Sequence, residues 1–275
     1  MTRSTGKLNL RIAEQERVRL TAEQQKQIQE LYENAAKEVA REAEKAPRIP
    51  SDILRKQYLN QLQKQLNEEL EKIRAEVEST VTDNMKKTAE AVVGANIDFL
   101  KKVGMPIQGA FSHVPDEVVR AVATGQVYEG TWSLSRAIWT NTKRTQKDVQ
   151  NVIAQGIAQN KSAYDIAKDL EKYVNPSARK DWDWSKVYPG TAKKIDYNAQ
   201  RLARTMVSHA YQQSFVKTTQ KNPFVTKYKW VSAGGARTCE ICAARDGVEY
   251  AKTDLPLDHP NGMCTFIAVI EDSMT

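Results

Sequence analysis

The sequence has little of what would cross-link it covalently or carry it across a bilayer. Only 3 of its 275 residues are cysteine, too few for a disulfide-framed scaffold. No apolar run approaches the roughly 18–20 residues that a membrane helix needs. The first ten residues carry basic side chains with no apolar stretch behind them, which reads against a secretory leader. Aromatics make up 7% of the chain and rarely interleave with basic residues as they do in single-strand binders. Histidine occurs only as His113, His209 and His259. No H-E-x-x-H, G-x-S-x-G, helix-turn-helix or Rossmann glycine pattern is present, and S-T-G-K at 4–7 lacks the rest of a phosphate-binding loop. What remains is a polar but foldable chain, 40% apolar with a mean hydropathy of −0.61. Its length suits one large domain or two modest ones.

The formal charge of +7 is unevenly placed. Residues 1–100 hold 17 basic and 17 acidic side chains; residues 101–230 hold 21 and 10; residues 231–275 hold 3 and 7. A basic middle fits contact with a polyanion read through its phosphates, as much as it fits an ordinary solvated surface. Arg136, Lys143, Arg144, Lys147, Lys193, Lys194, Arg201 and Arg204 are the candidate contacts with double-stranded DNA.

Periodicity predicts a mainly α protein with a small C-terminal β-rich module. Residues 1–20 are expected to be a flexible N-terminus. From Thr21 to about Glu44 apolar positions recur at helical spacing, and A-P-R-I-P at 46–50 breaks the helix. A second stripe follows at Leu59, Leu62, Leu66, Leu70, Ile73, Val77, Val81 and Met85, a mean step of about 3.7 residues, close to the straight-helix period. Residues 21–93 thus read as an antiparallel helical hairpin, either a spacer or an arm for assembly and self-association. At ~1.5 Å per residue, its second helix, with no Gly or Pro from Ser51 to Val93, would span roughly 65 Å. Residues 94–130 read as a joint with a short helix at Asp116–Thr124, and His113 there as a loop or packed histidine. Residues 131–222 read as a basic helical domain: Thr131–Gln159, a Ser162-capped helix to Val174, a loop at 175–190, and Thr191–Lys221 with Ile195, Ala199, Leu202, Met206, Ala210 and Phe215 inside. Trp132 and Trp139, seven apart, read as core. Residues 223–275 carry short aromatic and β-branched runs at 228–231, 248–250 and 264–270 that read as strands in zinc-ribbon-like hairpins.

All three cysteines fall in that last module. Cys239 and Cys242 have the two-residue gap that lets both thiolates reach one metal, and His259 and Cys264 lie 17 and 22 residues past Cys242. Together the four suit a closed tetrahedral zinc site, which has no open position for hydrolysis. Inert buried thiols and a redox pair are the alternatives at this stage.

In their order and spacing, R-L-A-R-T-M-V-S-H-A-Y-Q-Q-S-F (201–215), K-W-V-S-A (229–233), R-T-C-E-I-C-A-A-R-D-G (237–247) and D-H-P-N-G-M-C (258–264) resemble the Mu protein F-like family of phage minor head, or head morphogenesis, proteins. I-A-Q-G-I-A-Q-N-K-S-A-Y-D-I-A-K-D-L (153–170) looks like that family's helical region, so the likeness covers about 131–270. The family usually ends in H-P-x-C-x-C; here Gly262 stands at the first of those cysteines. The resemblance implies a protein that is not an enzyme, associates with the portal protein, meets scaffold or major capsid protein, and enters the head with the genome. It would reside first in the host cytoplasm and then inside the virion head. The competing readings are a zinc-supported HNH-like nuclease using His259, and a free non-specific DNA binder.

Overall fold

The computed structural model describes residues 5–47, 52–102, 109, 111–128, 130–179, 195–222, 224–235 and 238–270. It is mainly helical with a small, open C-terminal sheet beside a cysteine–histidine cluster, in line with the fold expected from periodicity. The helices are α1 (Thr5–Glu44), α2 (Asp52–Lys102), α3 (Val114–Thr124), α4 (Leu134–Ala158), α5 (Ala163–Val174), α6 (Tyr197–Thr219) and α7 (Glu240–Arg245). The strands are β1 (Val225–Val231), β2 (Glu249–Ala251) and β3 (Thr265–Ile270). No helix among the described residues is long and apolar enough to cross a membrane.

The chain clusters into two compact units, and the long helices give a stretch to each. One holds residues 25–79 and 135–200. Its core is the expected α2 stripe, with Leu59, Leu62, Leu66, Leu70, Ile73 and Val77 all buried. Tyr58 donates its hydroxyl to the Glu42 carbonyl of α1 at 2.6 Å. Ser162 caps α5 as expected, accepting the Asp165 N–H at 3.1 Å. Gly156 lets α4 meet α5 closely, because a β-carbon there would come within 2.7 Å of Ile166. Trp139 departs from expectation: it is 51% exposed, since Leu134, Ile138, Val149, Val152 and Ile153 fill the inner face of α4 instead.

The other unit holds residues 1–24, 80–134 and 201–275. Here the expectation of a flexible N-terminus fails, because α1 starts at Thr5 and buries Ala13, Arg17, Leu20 and Gln24 on one face. Likewise α2 runs past Val93 to Lys102, taking Gly94 into the helix where the joint was expected. Gly125 ends α3 in a left-handed conformation (φ +86°), where a β-carbon would strike the Trp132 carbonyl. The three strands form an antiparallel sheet in the order β2-β1-β3. Its buried face stacks Tyr228, Trp230 and Phe266 against Phe215 of α6, with Trp230 and Phe266 ring centroids 5.0 Å apart. Cys242, Cys264, Ala13 and Val92 belong to the same buried cluster.

Candidate metal centre

Cys239 is the N-cap of α7. Its Sγ accepts the Cys242 N–H at 3.4 Å, so the two-residue gap turns both thiols toward one point. The loop from Asp258 to Cys264 brings the other two groups. His259 Nε2 lies 3.3 Å from Cys239 Sγ, and Cys264 Sγ lies 3.3 Å from Cys242 Sγ. All three cysteines are free thiols, and that sulfur separation is well beyond a disulfide bond. Ligand atoms around tetrahedral zinc sit about 3.5–3.8 Å apart, so both separations are within a few tenths of an ångström of a metal site's edges. The ligand atoms form two overlapping triads, Cys239–Cys242–His259 and Cys242–Asp258–Cys264, each within 4.8 Å and sharing Cys242. Either triad is capable of coordinating a metal.

The protonation pattern fits such an ion. His259 Nδ1 faces the Pro260 carbonyl at 3.0 Å, and a carbonyl only accepts, so that nitrogen carries the proton. In the neutral ring the lone pair is on Nε2, 3.3 Å from Cys239 Sγ; the Pro260 carbonyl, with Asp258 and Cys239 nearby, raises the His259 pKa, so a metal would bind there by displacing a proton. The Cys242 N–H draws the Cys239 thiol below its ordinary range. Burial pushes the Cys242 and Cys264 thiols up, and a bound cation would offset that cost by favouring the thiolates. The donor set of soft sulfurs and one imidazole suits zinc.

The loop is held from outside by a row of polar side chains that sequence reasoning missed. On α6, Thr205 accepts the Asn261 N–H at 2.8 Å, and Ser208 donates to the Gly262 carbonyl at 2.9 Å. Gln212 donates to the Pro256 carbonyl at 2.7 Å and accepts the Asp258 N–H at 2.9 Å. His209 Nε2 meets the Asp258 carbonyl at 2.9 Å and so carries the proton there; Nδ1 accepts the Tyr128 hydroxyl at 2.5 Å. Burial holds the His209 pKa down, which keeps this ring neutral. From α1, Arg17 donates to the carbonyls of Cys264 and Met263 at 3.1 Å each. The signal was present in R-T-M-V-S-H-A-Y-Q: Thr205, Ser208, His209 and Gln212 recur at helical spacing on a face too buried to be polar without partners.

Asp258 closes the loop on itself, its carboxylate accepting the N–H groups of His259 at 2.9 Å and Cys264 at 3.2 Å. A β-carbon at Gly262 would lie 2.2 Å from that carboxylate, so the departure at 262 and the carboxylate at 258 belong together.

The DNA-contact candidates divide. Arg136, Lys143, Arg144 and Lys147 are exposed on α4, with Lys143 3.6 Å from Glu71. Arg201, in the other unit, is exposed, but Arg204 donates to Asn261 at 2.7 Å and serves the loop instead. Lys193 and Lys194, with the loop tryptophans Trp182 and Trp184, lie outside the described residues. His113 is exposed and 3.7 Å from Glu117, away from any cluster.

Residues 147–267 match the family described as Phage Mu protein F like protein. The likeness holds for that part of the chain, from within α4 to within β3, and not for its full length. No curated protein and no solved structure matches the chain.

Proposed function

We propose that the chain is a minor head protein of a tailed bacteriophage that associates with the portal vertex, contributes to head morphogenesis and accompanies the packaged DNA. The partial family match supports the general phage structural role, and the matched family is one of non-catalytic morphogenesis proteins. The observation that carries the reading is that the match, ending at residue 267, takes in α6, β1, β2, the start of β3 and the loop with the expected ligands. Zinc held by Cys239, Cys242, His259 and Cys264 would supply a structural cross-link there, joining α7 to the 258–264 loop beside the buried aromatic cluster. The exposed cations of α4 are the proposed contacts to DNA phosphates. Portal protein, scaffold or major capsid protein, and a second copy through the N-terminal helices are the proposed protein partners, with the head interior as destination.

Quantitative mass spectrometry of purified DNA-filled particles tests this. A few copies per particle is the expected result. Absence from both particles and assembly intermediates would overturn it.

A further inference from the structure

Arg17 is 1% exposed, a cationic side chain taken out of water. Its two terminal nitrogens donate to the carbonyls of Cys264 and Met263, and its central carbon lies 4.6 Å from the Tyr211 ring centroid. Tyr211 in turn shares a hydrogen bond of 2.9 Å with Thr265. Its Nε is buried with no partner, and no carboxylate among the described residues forms an ion pair with it. A buried cation facing only carbonyls and an aromatic ring is costly unless an anion stands nearby. The backbone Arg17 grips is that of the loop carrying His259 and Cys264, where the Asp258 carboxylate accepts the Cys264 N–H beside the cysteine cluster.

We propose that Arg17 is a positioning residue of the metal centre, the tie through which metal occupancy holds the first turns of α1 on the terminal module. This assignment rests on the zinc reading above. Ala13, Arg17, Leu20 and Gln24 form one buried face, and Ala13 packs in the same cluster as Cys242 and Cys264. Loss of the metal would free the Cys264 end of the loop whose carbonyls Arg17 holds, and with it the docking of α1 through Arg17. Coupling of this kind is reciprocal: what the metal does for the docking of Arg17, Arg17 does for metal affinity. Only a guanidinium fork spans both carbonyls, so lysine would keep the charge and lose one of the two bonds.

The test uses the full chain. Zinc content is measured first, then zinc affinity by chelator competition for wild type, Arg17→Met and Arg17→Lys. Hydrogen exchange over residues 11–20 is followed with and without zinc. Expected are close to one zinc per chain, affinity about tenfold or more weaker in Arg17→Met with Arg17→Lys between, and exchange over 11–20 that speeds up when zinc is withdrawn. A zinc-free folded wild type would defeat the zinc reading and this proposal together. Zinc bound equally tightly by all three proteins, or exchange over 11–20 indifferent to zinc, would overturn the Arg17 assignment alone. If Arg17→Met fails to fold, the Arg17→Lys affinity decides it.

Discussion

Gly262 and Asp258 show how tightly the loop is determined by single atoms. The carboxylate fills the space in front of the Gly262 α-carbon while it accepts the Cys264 N–H. Gly262→Ala therefore displaces Asp258 or bends the loop, at a cost of about 1–3 kcal/mol, typical of an overpacked core position. Thermal melts should show the loss, and zinc content should fall with it. In an Asp258→Ala background the same change should cost much less, because the obstructing atoms are gone. Equal costs in both backgrounds would remove the carboxylate as the cause. The three cysteines and His259 stood out as ligand candidates from their spacing, and the structure groups them, with Asp258, into two triads sharing Cys242. Asp258, Arg17 and the α6 row were not legible in the sequence, because each acts through backbone groups whose positions only the fold supplies.

At the scale of elements, the helices were read best where one face is uniformly apolar. Every residue of the α2 stripe from Leu59 to Met85 is buried, as its period required. The start of α1 was missed because its buried face there reads alanine, arginine, leucine, glutamine, with charges on every side. Polar pairing continues along that face. Asn84 donates to Gln24 at 3.1 Å with both residues buried, and Thr21, Thr88 and the Gln24 amide nitrogen have no hydrogen-bond partner there. Such a layer fixes the register of paired helices and lowers their stability. Asn84→Leu alone should destabilise by about 1–3 kcal/mol, since it strands a buried amide. Gln24→Leu combined with Asn84→Leu should recover that loss or exceed wild type. Denaturant titration of the two variants checks the sign, and a double variant weaker than the single one would show that the polar pair stabilises.

Across the whole molecule, the basic character of residues 101–230 fits a polyanion as much as a solvated surface, and does not say which cations a nucleic acid would meet. Folding sorts them by what they already hold. Arg204 is hydrogen-bonded to Asn261 in the loop clasp; Arg136, Lys143, Arg144 and Lys147 have exposed side chains on α4, with Lys143 also reaching Glu71 and Gln146. At 100° per residue, Arg136, Lys143 and Lys147 fall on one face of that helix and Arg144 within a turn of them. Sequence could not make this division, because the partner of Arg204 is 57 positions away. Each phosphate neutralised on duplex DNA contributes about 0.9 to the slope of log affinity against log salt, so four contacts give a slope near −3.6. Replacing all four α4 cations by glutamine should remove most of that slope and weaken binding alike for unrelated sequences. Arg201→Gln should change it by no more than about 1. Arg204→Gln should lower the melting temperature and leave the slope unchanged. Binding measured from low to moderate salt separates these cases. A quadruple α4 variant with the wild-type slope would move the DNA contact off α4, and loss of slope in Arg204→Gln would mean that the loop releases its arginine to the nucleic acid.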